Sequence, residues 1–416
     1  MPSDVRDPSY RALLRVPLLG RVLLSMQLAR IAQTMVGIAI VLFTLARYRS
    51  PALTGIITFL GMAPGLLVSP IAGALLDRHG RTRLMILDYV IALGAMSLIG
   101  LLAILDELPA WLLVLIVAVA SLTNPLSATG LRSIFPLLVP PQLWERVNAL
   151  DSNGYIVASI LGPPIAAGMV AVVGAPATLI VIGFIFGAAA LALVGAPDPR
   201  PATLASGSIL RDAKIGLQYT WRNRTLRGLG IAVSVLSLSG GMTWIVVPVL
   251  VLDHLKLGEA AVGWVFATSG VAGIVAAFVA GRIDTRGKEW AMLVWPTLGQ
   301  AVAIALLLAT ENLAFIVLSM ALTGLLAGPF DIAMFTVRQR RTNPALLGRA
   351  YAVSMSLNFS GFPVGSALAG LLIATWSVQA AIVFGVGACL VSALLAATLI
   401  PKSAPEEGMI ERAPGL

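Results

Sequence analysis

Two long stretches without a charged residue limit the folds that are open to this chain. They cover 152–197 and 350–401, and each is longer than forty residues. A helix that crosses a bilayer needs about 20 predominantly apolar residues, so each stretch predicts a pair of membrane-spanning helices. Turn-forming residues divide the first stretch at 174–176, and we divide the second at 375–377.

The rest of the chain follows the same pattern. Hydrophobic residues make up 58% of the sequence and charged residues 11%, whereas soluble proteins carry about 25% charged residues. We therefore predict an all-α membrane protein with twelve transmembrane helices. The predicted spans are 18–46, 52–76, 84–105, 109–135, 147–173, 177–197, 228–252, 259–281, 289–310, 313–337, 350–375 and 378–400.

The Lys and Arg residues indicate how these spans are oriented. With the N-terminus inside, twenty-four of the 28 fall on the inner side, against Arg47, Arg49 and Lys256 on the outer side. Basic residues collect on the cytoplasmic side of membrane proteins. We expect a multi-pass protein of the cell membrane with both termini in the cytoplasm. The net charge of +9 is attributed to this topology, and we expect no nucleic acid as a partner.

Several kinds of chemistry find no support in the sequence. The single cysteine, Cys389, allows neither an internal disulfide nor a cysteine metal site, and His79 and His254 lie far apart. The sequence has no P-loop, no Ser/His/Asp set and no pair of carboxylates at hydrolase spacing. We therefore predict no catalytic residue, no metal and no cofactor, and this chain alone is not expected to pump with ATP.

The charges and turns also predict domains. We expect a six-helix bundle over 1–197, a connecting segment over 198–227, a second bundle over 228–400 and a cytoplasmic tail over 401–416. Within the connection, apolar residues recur near helical spacing over 209–221 and have basic flanks. This pattern favours an amphipathic helix on the inner membrane surface. A plain linker is the alternative.

Two charged loops indicate an internal duplication. The loop at 73–83 reads Gly-Ala-Leu-Leu-Asp-Arg-His-Gly-Arg-Thr-Arg, and the loop at 281–288 reads Gly-Arg-Ile-Asp-Thr-Arg-Gly-Lys. Each follows the second span of a six-span block. The two six-helix bundles are therefore predicted to be pseudo-symmetric copies.

The 73–83 loop resembles the signature loop of the major facilitator superfamily, and the twelve-span plan extends this resemblance over nearly the whole chain. Gly73 would allow two helices to approach closely, and Gly80 would allow a turn with positive φ. The resemblance implies an ionic latch on the cytoplasmic side, in which Asp77 pairs with the start of the eleventh span. An ordinary basic turn is the alternative. The predicted latch residues are Gly73, Asp77, Arg78, Gly80, Arg81, Arg83, Arg132, Asp284 and Arg286.

A Gly-Pro pair in the fifth span resembles a motif that this superfamily uses in proton-coupled exporters. Gly162 and Pro163 stand among small residues, although Ala166 and Ala167 replace the usual Gly-Gly pair. Proline weakens the helix and glycine allows close packing, so a helix-bending role in export is predicted. A packing face of small residues is the alternative.

Ionisable residues inside membrane spans are costly and usually functional. Arg30 in the first span and Asp331 in the tenth are the clearest cases, and the resemblance places spans one, four, seven and ten around a central cavity. We predict that they bind substrate or couple protons, with a structural ion pair as the alternative. Asp88 and Asp151 are expected near the interface or in a latch. Further candidates for the cavity are Gln33, Asn124 and Trp244.

These observations and the resemblance together predict a monomeric secondary active transporter. It would export a small apolar or amphipathic solute by alternating access, as multidrug efflux antiporters do, in exchange for protons. One alternative is a transporter of organic anions, metabolites or siderophores, for which Arg30 would supply the positive charge. The other is a receptor or scaffold that transports nothing.

Overall fold

A computed structural model of the chain describes residues 10–196, 198, 209–280, 282, 285–309, 312–343 and 347–402. The described residues are organised as α-helices joined by short connections. The helices are α1 (Tyr10–Leu14), α2 (Leu19–Tyr48), α3 (Pro51–Leu60), α4 (Ala63–His79), α5 (Arg81–Ile104), α6 (Ala110–Ser121), α7 (Asn124–Leu138), α8 (Trp144–Val173), α9 (Ala175–Leu193), α10 (Ile209–Arg222), α11 (Arg224–Val249), α12 (Glu259–Ala280), α13 (Glu289–Ala305), α14 (Leu313–Arg340), α15 (Leu347–Thr375) and α16 (Val378–Leu399).

Twelve stretches of helix in the described part of the chain are long and apolar enough to cross a membrane, which confirms the predicted number of spans. Both uncharged stretches contain two helices, as expected. Gly174, with φ of 81°, separates α8 from α9. Ser377 separates α15 from α16, and its hydroxyl caps α16 by accepting a hydrogen bond from the Ala380 backbone N–H at 3.1 Å.

Two spans are interrupted, a feature that was not predicted. The second span is divided into α3 and α4, and the fourth into α6 and α7. Pro64 stands in the first turn of α4, and Pro125 stands in the first turn of α7. Proline has no N–H to donate to the preceding turn, so it suits the start of a helix better than its interior.

Contacts divide the chain into two compact units. The first consists of Met1–Arg49, Leu60–Ile209 and Glu259–Gly263. In this unit α2 packs on α8 and α9, while α5 packs on α7 and α9. Glycine permits the approach of α5 to α9, because a Cβ on Gly183 would lie 3.0 Å from the Leu93 carbonyl oxygen.

The second unit consists of Ser50–Phe59, Leu210–Gly258 and Trp264–Leu416. Here α11 packs on α15 and α16, and α13 packs on α14 and α16. A Cβ on Gly361 or Gly365 would overlap the carbonyl groups of Ser234 or Leu238 on α11. The backbones of α11 and α15 are therefore as close as small residues allow.

The connecting segment contains one helix in its described part, α10. The position on the inner membrane surface that was predicted for it stays a prediction. The chain then passes through one residue, Asn223, directly into α11. The Asn223 side chain accepts hydrogen bonds from the backbone N–H groups of Thr225 and Leu226, at 3.0 and 3.1 Å. This cap starts the seventh span at Arg224 rather than at the predicted residue 228.

Candidate functional site

An ion pair joins two membrane-spanning helices of the first unit. Arg30 lies on α2, and its Nη2 donates to the Asp151 carboxylate on α8 while its Nη1 donates to the Asp151 carbonyl oxygen. The two side chains are 13% and 14% exposed. The geometry therefore matches the structural ion pair that was the alternative for Arg30. The interface or latch position predicted for Asp151 stays a prediction.

A seam of small residues on α8 makes room for this pair. A Cβ on Gly154 would lie 3.3 Å from Arg30 Nη1 and 2.6 Å from Gln27 Oε1. Farther along, Thr34 donates from its hydroxyl to the Ala158 carbonyl oxygen at 2.9 Å, and a Cβ on Gly162 would overlap that hydroxyl. We call this contact the α2–α8 seam. Its members are Gln27, Arg30, Thr34, Asp151, Gly154, Ala158 and Gly162.

Gly162 thus has a packing role, whatever its part in helix bending. Pro163 and Pro164 lie within α8, which runs without interruption from Trp144 to Val173. The bending role predicted for Gly162 and Pro163 stays a prediction.

Asp331 differs from Arg30 in having no described partner. It lies on α14 and is exposed, and no hydrogen bond or ion pair links it to the described residues. Gln33, on α2, is also exposed, and Asn124 is half-buried at the start of α7. Hydrogen bonds do not join these predicted site residues to one another in the described part of the chain.

Trp244 belongs to an aromatic group in the second unit. Its ring centroid lies 4.9 Å from that of Phe266 on α12 and 6.1 Å from that of Phe362 on α15. Rings at these separations form tilted and edge-on contacts that stabilise an apolar surface. Phe266 was not predicted, since one phenylalanine in an apolar span carries no signal of its own.

The first charged loop contains a contact that the sequence did not reveal. Gly80 has φ of 94°, the conformation predicted for it. The carboxylate Oδ1 of Asp198 accepts hydrogen bonds from the backbone N–H groups of Arg81 at 2.8 Å and Thr82 at 3.3 Å. Asp198 therefore caps the start of α5, and a Cβ on Gly80 would overlap its carboxylate.

The rest of the predicted latch is described only in part. Arg78 and Arg83 are exposed and Arg81 is buried. The residues that lie outside the described part, for their side chains or entirely, are Gly73, Asp77, Arg132 and Asp284. The latch therefore remains a prediction.

Near the second charged loop, the structure shows a different ion pair. Arg286 is exposed, while Glu289 at the start of α13 is buried and accepts from Arg340 Nη1 at 2.5 Å. Arg340 ends α14, so the pair fastens these two helix ends. It was missed because the acid follows the motif rather than lying within it.

Asp88 is a second acid within a span. It lies about two turns from the start of α5, is 3% exposed, and its Oδ1 has no hydrogen-bond partner among the described residues. Its predicted place near the interface or in a latch stays a prediction. Asp88 faces the Ser127 and Thr123 hydroxyls near the start of α7. No group of three His, Cys, Asp or Glu residues in the described part of the chain could hold a metal ion.

Comparisons with known proteins agree with this architecture. The family model described as Major Facilitator Superfamily matches residues 22–233 and 229–415. The chain is 37% identical over 406 residues to the uncharacterized MFS-type transporter y4rN of Sinorhizobium fredii, covering 96% of this chain and 98% of that one. It is 28% identical over 350 residues to the multidrug efflux pump Tap of Mycobacterium tuberculosis, covering 81% of this chain and 83% of Tap.

A solved structure shares the fold at low sequence identity. The nucleoside transporter NupG superimposes with a TM-score of 0.74 at 11% identity, over 92% of this chain and 99% of NupG. The family match, the twelve spans and this superposition lead to the same conclusion: the chain is a multi-pass membrane protein and belongs to the Major Facilitator Superfamily.

Proposed function

We propose that this protein exports a small apolar or amphipathic solute across the cell membrane in exchange for protons, by alternating access. Membership of the superfamily supports transport as the activity. The relationship to Tap, which is named a multidrug efflux pump, supports export and a solute of that kind.

The observation that carries the choice of solute is the ion pair between Arg30 and Asp151. An organic anion would need a cation that is free to bind it, and this guanidinium is already neutralised by a carboxylate. The aromatic group around Trp244 offers apolar surface instead. These two features favour an apolar or amphipathic solute over an organic anion, a metabolite or a siderophore.

Asp331 is our candidate for the proton-coupling residue. A carboxylate within an apolar span is costly while it is charged, and protonation removes much of that cost. Unlike Asp151, Asp331 has no cation held against it among the described residues, so its charge can change without leaving another charge uncompensated. We infer that it takes up a proton in one stage of the cycle and releases it in another.

The test uses purified protein in liposomes with an imposed pH gradient, screened against dyes and drugs. We expect Asp331→Asn to abolish the dependence of transport on the pH gradient, because an amide cannot exchange the proton. The matched control is Asp253→Asn, at an exposed acid beyond α11, which should leave the dependence intact. If Asp331→Asn keeps the pH dependence of the wild type, Asp331 does not couple protons.

The same assay separates a transporter from a receptor or scaffold. A transporter that uses the predicted latch should lose transport when Asp77 is replaced by asparagine, whereas a scaffold should transport nothing in any variant. Folded wild-type protein that moves no solute over a broad screen would favour the scaffold.

A further inference from the structure

The C-terminal half of α10 presents two large apolar side chains on one face. Leu217 is 49% exposed and Trp221 is 54% exposed, and their separation of four residues places them one turn apart. Gly216 and Thr220, on the adjoining face of the helix, are buried. About half of each apolar side chain is thus open, next to a face of α10 that is already packed.

The position of α10 determines what can lie against this face. Since Asn223 alone separates α10 from the seventh membrane span, the C-terminal end of α10 lies at the edge of the bilayer. Arg222 and Arg224, which follow the apolar pair in the sequence, are exposed, and the sequence has no acidic residue between Asp212 and Asp253. Tryptophan and basic residues together suit the boundary between lipid tails and anionic headgroups.

Hydrogen bonds tie α10 and the residue that follows it to the end of the helix that carries Asp331. The Tyr219 hydroxyl accepts from the Asn343 backbone N–H at 2.8 Å, and the Asn223 side chain donates to the Arg341 carbonyl oxygen at 2.8 Å. The Asn343 N–H and the Arg341 carbonyl both belong to residues that follow directly after Arg340, the last residue of α14. These two hydrogen bonds connect α10 and Asn223 directly to the end of α14.

The same connection extends to the end of α16. The Arg341 guanidinium donates to the Pro401 carbonyl oxygen at 2.8 Å, and the Lys402 ammonium lies 4.4 Å from the centre of the Trp290 ring. The ends of α10, α14 and α16 are thus held as one group, with the start of α13 beside them.

We propose that the Leu217–Trp221 face of α10 binds the anionic headgroup layer of the bilayer, and that this contact sets the position of α14. Leu217 and Trp221 insert among the lipids, while Arg222 and Arg224 bind the phosphate groups. Anionic lipid then regulates transport through the Tyr219–Asn343 hydrogen bond. The lipid contact is independent of the proposed function, and its effect on transport depends on that function.

The lipid contact is tested by spin labels in reconstituted full-length protein. Labels at Leu217→Cys and Trp221→Cys are expected to be accessible to oxygen dissolved in the bilayer, and more so when phosphatidylglycerol is added to phosphatidylcholine. A label at Gln218→Cys, an exposed neighbour, is expected to react with an aqueous reagent. The native Cys389 is buried, so the spin-label reagent should not react with it and it can stay in every variant. Labels at 217 and 221 that reach water, or that a protein surface shields from both reagents, overturn the proposal.

The charge requirement has its own matched control. An arginine near an anionic surface contributes about 1 kcal/mol, or about fivefold in binding. Arg222→Gln with Arg224→Gln should therefore remove the effect of phosphatidylglycerol on the labels. Arg49→Gln changes an exposed arginine outside this group and should leave the effect unchanged. If phosphatidylglycerol has the same effect on the labels in both variants, the arginines do not recognise anionic lipid and the proposal is contradicted.

The connection to α14 is tested by Tyr219→Phe, which removes the hydroxyl that accepts from Asn343. We expect the labels to report the same lipid contact while phosphatidylglycerol no longer stimulates transport. If the variant retains full stimulation, the connection does not transmit the lipid effect. If the wild type shows the lipid contact but no transport at all, the proposed function is wrong, while the proposal that α10 contacts lipid still stands.

Discussion

Arg30 and Asp151 place two opposite charges between helices of one unit, each less than one-sixth exposed. At this degree of burial the charges depend on each other, because the loss of either leaves the other uncompensated. Replacing both can be nearly neutral, since the cost of desolvating them disappears together with their attraction. The exposed pair between Arg47 and Asp106, in which the aspartate is 91% exposed, lacks this dependence.

Asp151→Asn should consequently destabilise the protein by about 3–5 kcal/mol, measured by unfolding in detergent. Arg30→Gln combined with Asp151→Asn should recover most of that loss. The control is Asp106→Asn, which should cost less than about 1 kcal/mol because water screens that pair. If the two single variants lose the same stability, the Arg30 pair is not the buried structural contact described above.

At the scale of helices, the α2–α8 seam and the cap of α5 decide how close neighbouring elements come. In the seam, Gly162 lies where a methyl group would overlap Thr34, whereas Gly168 on the same helix has open space around its Cβ position. The cap depends on Asp198, which binds the first N–H groups of α5 from the far end of the first unit's sequence.

Gly162→Ala is expected to destabilise the protein by about 1–3 kcal/mol, because the added methyl group must push α2 away. Gly168→Ala should instead be neutral or stabilise α8 by up to about 1 kcal/mol, since alanine favours a helix over glycine. Thermal unfolding of both variants in the same detergent compares them directly. A Gly162→Ala variant as stable as Gly168→Ala would show that the seam tolerates separation.

Asp198→Ala should cost about 0.5–2 kcal/mol through the loss of the α5 cap. It should also speed amide hydrogen exchange at Arg81 and Thr82, whose N–H groups lose their acceptor. Glu107→Ala, at an exposed acid in the loop after α5, is the control and should change neither quantity. Unchanged exchange at Arg81 in Asp198→Ala would exclude the cap.

At the scale of the whole molecule, the span count could be predicted because it depends on local apolar length. Arg30 could be selected as a charge within a span, but its partner could not, since Asp151 is adjacent only after α2 and α8 pack in register. The contact between Asp198 and Arg81 could not be predicted either, because the two residues are 117 positions apart in the sequence and meet only in the folded chain. The interrupted spans did carry a signal in Pro64 and Pro125, which mark helix starts as well as bends.

The loops also make a prediction for the molecule as a whole. If the spans alternate as the Lys and Arg distribution indicates, cysteines placed at Arg78 and Arg286 should be labelled from one side of the membrane, and cysteines at Arg49 and Lys256 from the other. Labelling of intact cells with an impermeant maleimide, before and after permeabilisation, measures this. Labelling of positions 78 and 286 from opposite sides would contradict the twelve-span topology.

The central claim is that solute leaves while protons enter, and simultaneous recording of both fluxes in one population of proteoliposomes tests it most directly. The account predicts that adding a transported dye on one side drives protons in the opposite direction in the wild type. It also predicts that Asp331→Asn moves dye without a proton flux or moves neither. Dye movement in the wild type without protons, or with protons in the same direction, would contradict the claim.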